Sequence, residues 1–183
     1  GITFIYGALG SFNVVQIAST AISPFGVSPQ LLIVGFLLIL FAMAFKMSAV
    51  PFHFWAPDVY TGAPTVITAY MSTIVKIGAI AGFYRLFSIV ISFYSEYNRI
   101  LLLIAALTIV VGNIIAASQS NVKRLLAYSS IGHAGFLILG ITALSASTPY
   151  ITWYYLLAYS LSSIASFWVL LLVSEKSGEE DIT

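Results

Sequence analysis

Residues 46–76 read K-M-S-A-V-P-F-H-F-W-A-P-D-V-Y-T-G-A-P-T-V-I-T-A-Y-M-S-T-I-V-K. Two lysines, Lys46 and Lys76, stand in otherwise apolar segments on either side of a stretch punctuated by Pro57, Gly62 and Pro64. A lysine inside an apolar segment of membrane length costs roughly 2.5–3.5 kcal/mol on insertion scales, so each is a candidate functional site. Between them, Pro51 removes a backbone donor and clashes with the preceding turn, which predicts a kink or break in the first segment. Broken helices at membrane depth are tolerated where they line a protein-buried or watery cavity.

Composition places this stretch in a membrane. The chain is 60% hydrophobic and only 7% charged over 183 residues, whereas a soluble domain carries about 25% charged residues. The fold class expected is therefore an all-α integral membrane protein, a polytopic helix bundle with a broken helix near Pro51. A formal net charge of +1 gives no reason to expect nucleic acid as a partner; the lipid bilayer is the expected one. Without cysteine the chain offers no disulfide and no thiolate for an iron–sulfur cluster or metal, so any redox chemistry would come from a partner.

Taken outward from the opening stretch, the chain divides into apolar segments of helical length. Residues 1–10 read as the end of a helix, and Ser11 to Ile22 as a short interfacial helix stopped by the turn Ser23-Pro24-Phe25-Gly26. A span over 30–50 breaks into 51–58, and Pro57 to Pro64 reads as a turn. Further spans are expected at 65–93, 99–119, 121–145 and 149–174, with Glu96, Asn98 and Arg99 in a connecting turn and 175–183 as a solvated loop. Gly1 lacks an initiator Met and a cleavage site, and the polar stretch from Gly178 to Thr183 has no closing helix, so an internal fragment of a longer chain is expected. One transmembrane fragment, 1–183, then makes up the whole.

Each candidate residue has a functional and a structural reading. Lys46 follows the apolar run from Leu31 to Phe45, which in a helix rises only about 22 Å against a hydrocarbon thickness of roughly 30 Å. It is either a snorkelling lysine at the interface or, because Ala49 to Ala56 remains mostly apolar, an intramembrane charge. Lys76 lies near the middle of its span with apolar turns on both sides, either as a proton-exchanging group or as a lysine bonded to carbonyls of the bundle. His53 can bond carbonyls freed at the break or handle protons. Ser129 and His133, four apart, share a helix face, where the histidine can relay protons or be satisfied by a serine or carbonyl. Asn113 reads as a bond to a neighbouring helix.

Burial penalises the charged form of a lysine unless a partner compensates. The acids are Asp58, Glu96, Glu175, Glu179, Glu180 and Asp181, each in a turn or at a segment end. None is placed to neutralise Lys76. Either the lysines exchange protons, or their carboxylate lies in other sequence. At the last span, Tyr150, Trp153, Tyr154 and Tyr155 read as an interfacial aromatic belt, and Ser160, Ser162, Ser163 and Ser166 as residues permitting close helix packing. Loop charges put the 58–64 turn with Lys123, Arg124 and Lys176 on one side and Arg85 and Arg99 on the other, which favours the first side as cytoplasmic.

The run F-K-M-S-A-V-P-F-H-F-W-A-P-D-V-Y-T-G-A-P-T from Phe45 to Thr65, with Lys76 downstream, resembles the subunit N branch of the antiporter-like family of respiratory complex I, the branch of mitochondrial subunit 2. So does the stretch from Gly112 to His133. Other members of the family, including cation/proton antiporters of the multiple-resistance type, share the lysine and the P-F-H-x-W core but usually continue P-x-A-H-x-x-A-P, where this chain has Pro57-Asp58-Val59-Tyr60-Thr61-Gly62-Ala63-Pro64.

The resemblance implies an inverted-repeat antiporter-like fold, with five helices per repeat and a broken helix in each. It implies proton translocation as a membrane subunit of NADH-quinone oxidoreductase, the translocating part of an enzyme, in a bacterial inner (plasma) membrane beside other membrane subunits. On it, Lys46 matches the lysine of the broken seventh helix, Lys76 the lysine of the eighth, and His133 a polar relay position on the tenth. A glutamate on the fifth helix and a lysine on the twelfth would lie outside this sequence. NADH, flavin, iron–sulfur clusters and quinone would belong to partner subunits, with no cofactor or metal in this chain. The competing readings are a cation/proton antiporter subunit without redox coupling and a purely structural membrane module.

Overall fold

In the computed structural model of the chain, residues 1–13, 17, 29–93, 95–143 and 148–177 are described. Every helix or strand assigned among them is helical. The first helix, α1 (Ile2–Leu9), stops at Gly10, whose φ of 66° is the left-handed conformation that glycine adopts without a Cβ penalty and whose N–H caps the Tyr6 carbonyl. The interfacial helix expected over 11–22 and the turn at 23–26 lie almost wholly outside the described residues.

Helix α2 (Pro29–Lys46) ends at the lysine, several residues before Pro51. The chain turns through Ser48, at φ 60°, and a cis Val50–Pro51 peptide before resuming as α3 (Trp55–Gly62). Backbone turns satisfy the Met47, Ser48, Ala49 and Phe52 N–H groups, and side chains supply two further bonds. Val50 N donates to Thr108 Oγ1 at 3.0 Å, and Trp55 Nε1 donates to the Phe45 carbonyl at 3.0 Å. This is how an irregular segment is tolerated at membrane depth.

Helix α3 corrects the turn expected from Pro57 to Pro64. Pro57 falls in the first turn of a helix, where its missing N–H has no intrahelical acceptor to lose, and Asp58 in that turn complements the helix dipole. The reversal is confined to Ala63 and Pro64.

The next span is built from α4 (Thr65–Tyr70), a π-helical turn (Met71–Val75) and α5 (Lys76–Phe93). Helix α6 (Ser95–Ala117) takes in Glu96, Asn98 and Arg99, which therefore lie in a helix rather than in a connecting turn. Helix α7 (Val122–Thr142) is capped by Asn121, whose side chain accepts from Arg124 N at 3.0 Å. Helix α8 (Thr148–Ser177) runs past Ser174 into the segment expected as a loop, whose remainder, 178–183, lies outside the described residues.

Among the described residues, four helices, over Thr65–Phe87, Tyr97–Ala117, Val122–Thr142 and Tyr150–Ser174, are long and apolar enough to cross a membrane. Helices α6 and α7 pack as a close pair because glycines remove the side chains between them. A Cβ on Gly112 would stand 2.7 Å from Gly132 N, and one on Gly135 would stand 2.9 Å from Ile109 N. Of the four spans, α7 is the most buried, at 56% of its apolar window, against 22% for α8. Polar side chains on α7 are thus the ones this bundle encloses.

Candidate functional site: a lysine held by neutral oxygens

Lys76 begins α5, directly after the π turn, and is only 3% exposed. The π turn adds a residue to the helical repeat and so re-aims the side chains that follow it, a device found often at functional sites. Lys76 Nζ donates to the Ser130 carbonyl at 2.7 Å and to Ser130 Oγ at 2.5 Å. Ser130 Oγ lies 2.8 Å from Tyr159 Oη. Tyr159 in turn donates to the Ser72 carbonyl in the π turn at 2.9 Å. The Lys76 ammonium lies 6.0 Å from the centre of the Tyr159 ring, at the limit of cation–π range. Buried Tyr60 of α3 turns its phenol towards the same Ser130 hydroxyl, which joins the broken-helix segment to the site.

One turn along α7, His133 Nδ1 lies 2.7 Å from Tyr155 Oη, and its ring is 5.0 Å from that of Tyr159. Tyr155 and Tyr159, four apart on α8, thus face Ser130 and His133, three apart on α7, as two rungs of a ladder. A cavity of about 110 Å³ opens beside them, lined by Ser129, Ser130, His133, Tyr159 and the α8 residues Ser162, Ser163, Ser166 and Phe167 with Leu126.

The residues singled out from sequence separate into two environments. Lys76 and His133 are brought to one network through Tyr159. Lys46 is exposed at the end of α2, and no carboxylate among the described residues pairs with either lysine. His53 is buried at the break with its ring 4.4 Å from Phe54. Asn113 bonds its own helix, Nδ2 to the Ile109 carbonyl at 2.7 Å, while it packs on Gly132; the bond to a neighbouring helix expected from sequence is not the one it makes.

Sequence reading missed Tyr159, Tyr60 and the Ser72 carbonyl. It also set Tyr155 in an aromatic belt, whereas Tyr155 points to His133, while Tyr150, Trp153 and Tyr154 are exposed. A signal was present. Tyr155, Tyr159, Ser162, Ser163 and Ser166 recur at steps of three and four, a polar stripe on an otherwise apolar helix.

Fold and site together define a polytopic membrane helix bundle with an ionisable interior. Residues 1–183 match the model of the family described as NADH:quinone oxidoreductase/Mrp antiporter, transmembrane. The chain belongs to that family. It is 42% identical over 180 residues to NADH-quinone oxidoreductase subunit N of Cytophaga hutchinsonii, covering 98% of this chain and 38% of that protein. It is 41% identical over 191 residues to subunit N of Flavobacterium johnsoniae, covering 100% of this chain and 41% of that one. The chain therefore spans about two fifths of the length of these relatives.

Among solved structures, the chain resembles one in an archaeal membrane-bound sulfane sulfur reductase, with a TM-score of 0.86 and 31% identity over 99% of this chain and 37% of that one. It also resembles one in respiratory complex I of Thermus thermophilus, with a TM-score of 0.66 and 36% identity over 92% of this chain and 35% of that one. A likeness to the Mrp complex of a Dietzia species, at a TM-score of 0.81 but 24% identity over 91% of this chain and 30% of that one, speaks for a common fold.

Proposed function

We propose that this chain is part of a proton-translocating membrane subunit of NADH-quinone oxidoreductase, in a bacterial plasma membrane and beside other membrane subunits. The observation that carries the proposal is Lys76, a lysine in the interior of an apolar span, bonded only to neutral oxygens among the described residues. A purely structural role would be served by a neutral donor at far lower desolvation cost. A group that must gain and lose a proton needs a surrounding that holds either form, and hydroxyl and carbonyl oxygens do so. Lys46 is the second exchanging group, and His133 a relay beyond Lys76. NADH, flavin and quinone are assigned to partner subunits in this reading, and so are the clusters, for which this chain has no cysteine ligand.

The relatives named above favour this reading over a cation/proton antiporter without redox coupling, for which the likeness is one of fold. The test is Lys76→Met, and separately Lys46→Met, in the full-length subunit within the assembled complex. Protons translocated per electron should fall while NADH-driven electron transfer continues. An unchanged ratio in both variants would overturn the proposal.

A further inference from the structure

The direction of the hydrogen bond between Ser130 and Tyr159 is set by the last member of the chain that starts at Lys76. The Ser72 carbonyl has no proton and can only accept, so the single hydroxyl proton of Tyr159 is directed to it. Ser130 Oγ must then be the donor towards Tyr159 Oη, and it is left with lone pairs facing Lys76 Nζ. The chain runs one way, from Lys76 through Ser130 and Tyr159 to Ser72. It ends on a group that cannot take up a proton. As it stands, the network holds the lysine's proton and gives it no exit.

An exit lies alongside. The cavity of about 110 Å³ is bounded by Ser129, Ser130, His133, Ser163 and Ser166, and Tyr159 forms part of its wall. At about 30 Å³ per molecule of liquid water, and with hydroxyls on several sides, it has room for about three waters. The Ser130 hydroxyl, which Tyr60 also faces, has a single proton, and that proton can point at Tyr159 or into this space but not at both.

We propose that Tyr159 is a latch on a water site, and that its hydroxyl decides whether Lys76 can release a proton to that site. The proposal rests on the proton-translocating reading of Lys76. With Tyr159 on the Ser72 carbonyl, the Ser130 proton is committed to Tyr159 and the path is closed. When Tyr159 swings away, the Ser130 hydroxyl turns to a water in the cavity. One Lys76 N–H bond then breaks as that proton joins Ser130 Oγ, and the proton already on Oγ passes to the water. Lysine is left as a neutral amine, and the protonated water delivers its proton to the His133 imidazole. Tyr159 acts through Ser130 and is a positioning residue in this step.

The test uses the assembled complex in proteoliposomes, with an imposed pH gradient and no NADH. Tyr159→Phe keeps the ring and loses the latch, so passive proton conductance should rise several-fold. Adding Ser130→Ala should return it to the wild-type level, because the leak runs through Oγ. Conductance unchanged in Tyr159→Phe overturns the proposal, and so does a leak that persists with Ser130→Ala, which would mark a packing defect. A second variant keeps Tyr159: Ser166→Leu fills the cavity and should slow NADH-driven translocation several-fold at unchanged passive conductance. Translocation at the wild-type rate in that variant overturns the water site. Failure of the underlying reading is seen separately, as Lys76→Met that pumps normally in the same vesicles.

Discussion

Thr108 Oγ1 on α6 lies 3.0 Å from Val50 N, at the break between α2 and α3, and itself donates to the Ile104 carbonyl at 2.6 Å. One buried hydroxyl thus satisfies a backbone donor that the broken helix leaves without an intrahelical partner. Replacing it with an isosteric methyl leaves that N–H unpaired in the interior, at a cost of about 1–3 kcal/mol. Thr108→Val should lower the thermal stability of the subunit, and Thr108→Ser, which keeps the acceptor, should restore most of it; thermal unfolding in detergent measures both.

Arg124 and Asp58 pair at 3.5 Å across the N-terminal end of α7 and the start of α3, with side chains 44% and 77% exposed. Such a pair contributes about 0–1 kcal/mol and is weakened by salt. Asp58→Asn should therefore leave the melting temperature within a few degrees of wild type, with the difference vanishing at high salt. A large, salt-independent loss would mean that the carboxylate does something other than pair with Arg124.

The close approach of α6 and α7 predicts opposite outcomes for two glycines. A Cβ at Gly112 would meet the Gly132 backbone at 2.7 Å, whereas one at Gly78 meets nothing within 4 Å. Gly112→Ala should destabilise by about 1–3 kcal/mol through overpacking against backbone that cannot yield. Gly78→Ala should be neutral or stabilising by up to about 1 kcal/mol through helix propensity. Yield of assembled complex and thermal unfolding read the contrast.

Lys76→Arg separates a fixed charge from a proton carrier. Arginine keeps the positive charge but does not give up a proton within the physiological range, and its planar fork does not match two oxygens of one serine. Protons per electron in Lys76→Arg should fall to the level of Lys76→Met. Full retention of pumping would mean that charge alone is needed at this position.

The two lysines show how far residue order carries the site. Lys76 was legible because a cation in the middle of an apolar span is costly wherever it points, and its neighbours in sequence already exclude an interface within easy reach. Lys46 was not resolved by the same reasoning, since its environment depends on where α2 ends relative to Pro51, and the helix stops at the lysine itself. The proline disrupts helix geometry over the turn before it, so the position of the break was set by sequence only to within several residues. Tyr159 was invisible for a different reason. A tyrosine on an apolar helix reads as packing until the partner of its hydroxyl is known, and here the partner is a backbone carbonyl 87 positions away.

Composition and spacing alone determined that this chain is a membrane bundle of helices, with a broken helix and with Lys76 in the interior of a span. Those are consequences of transfer free energy and of the geometry of proline, which act on any chain with this order of residues. Tertiary structure decided which oxygens surround the lysine and which way their protons point. That outcome rests on the pairing of α7 with α8 and on the π turn before Lys76. Hydrogen bonding is directional and falls away within a few tenths of an ångström, so only the packed arrangement selects Ser130, Tyr159 and the Ser72 carbonyl from the many hydroxyls and carbonyls in the sequence.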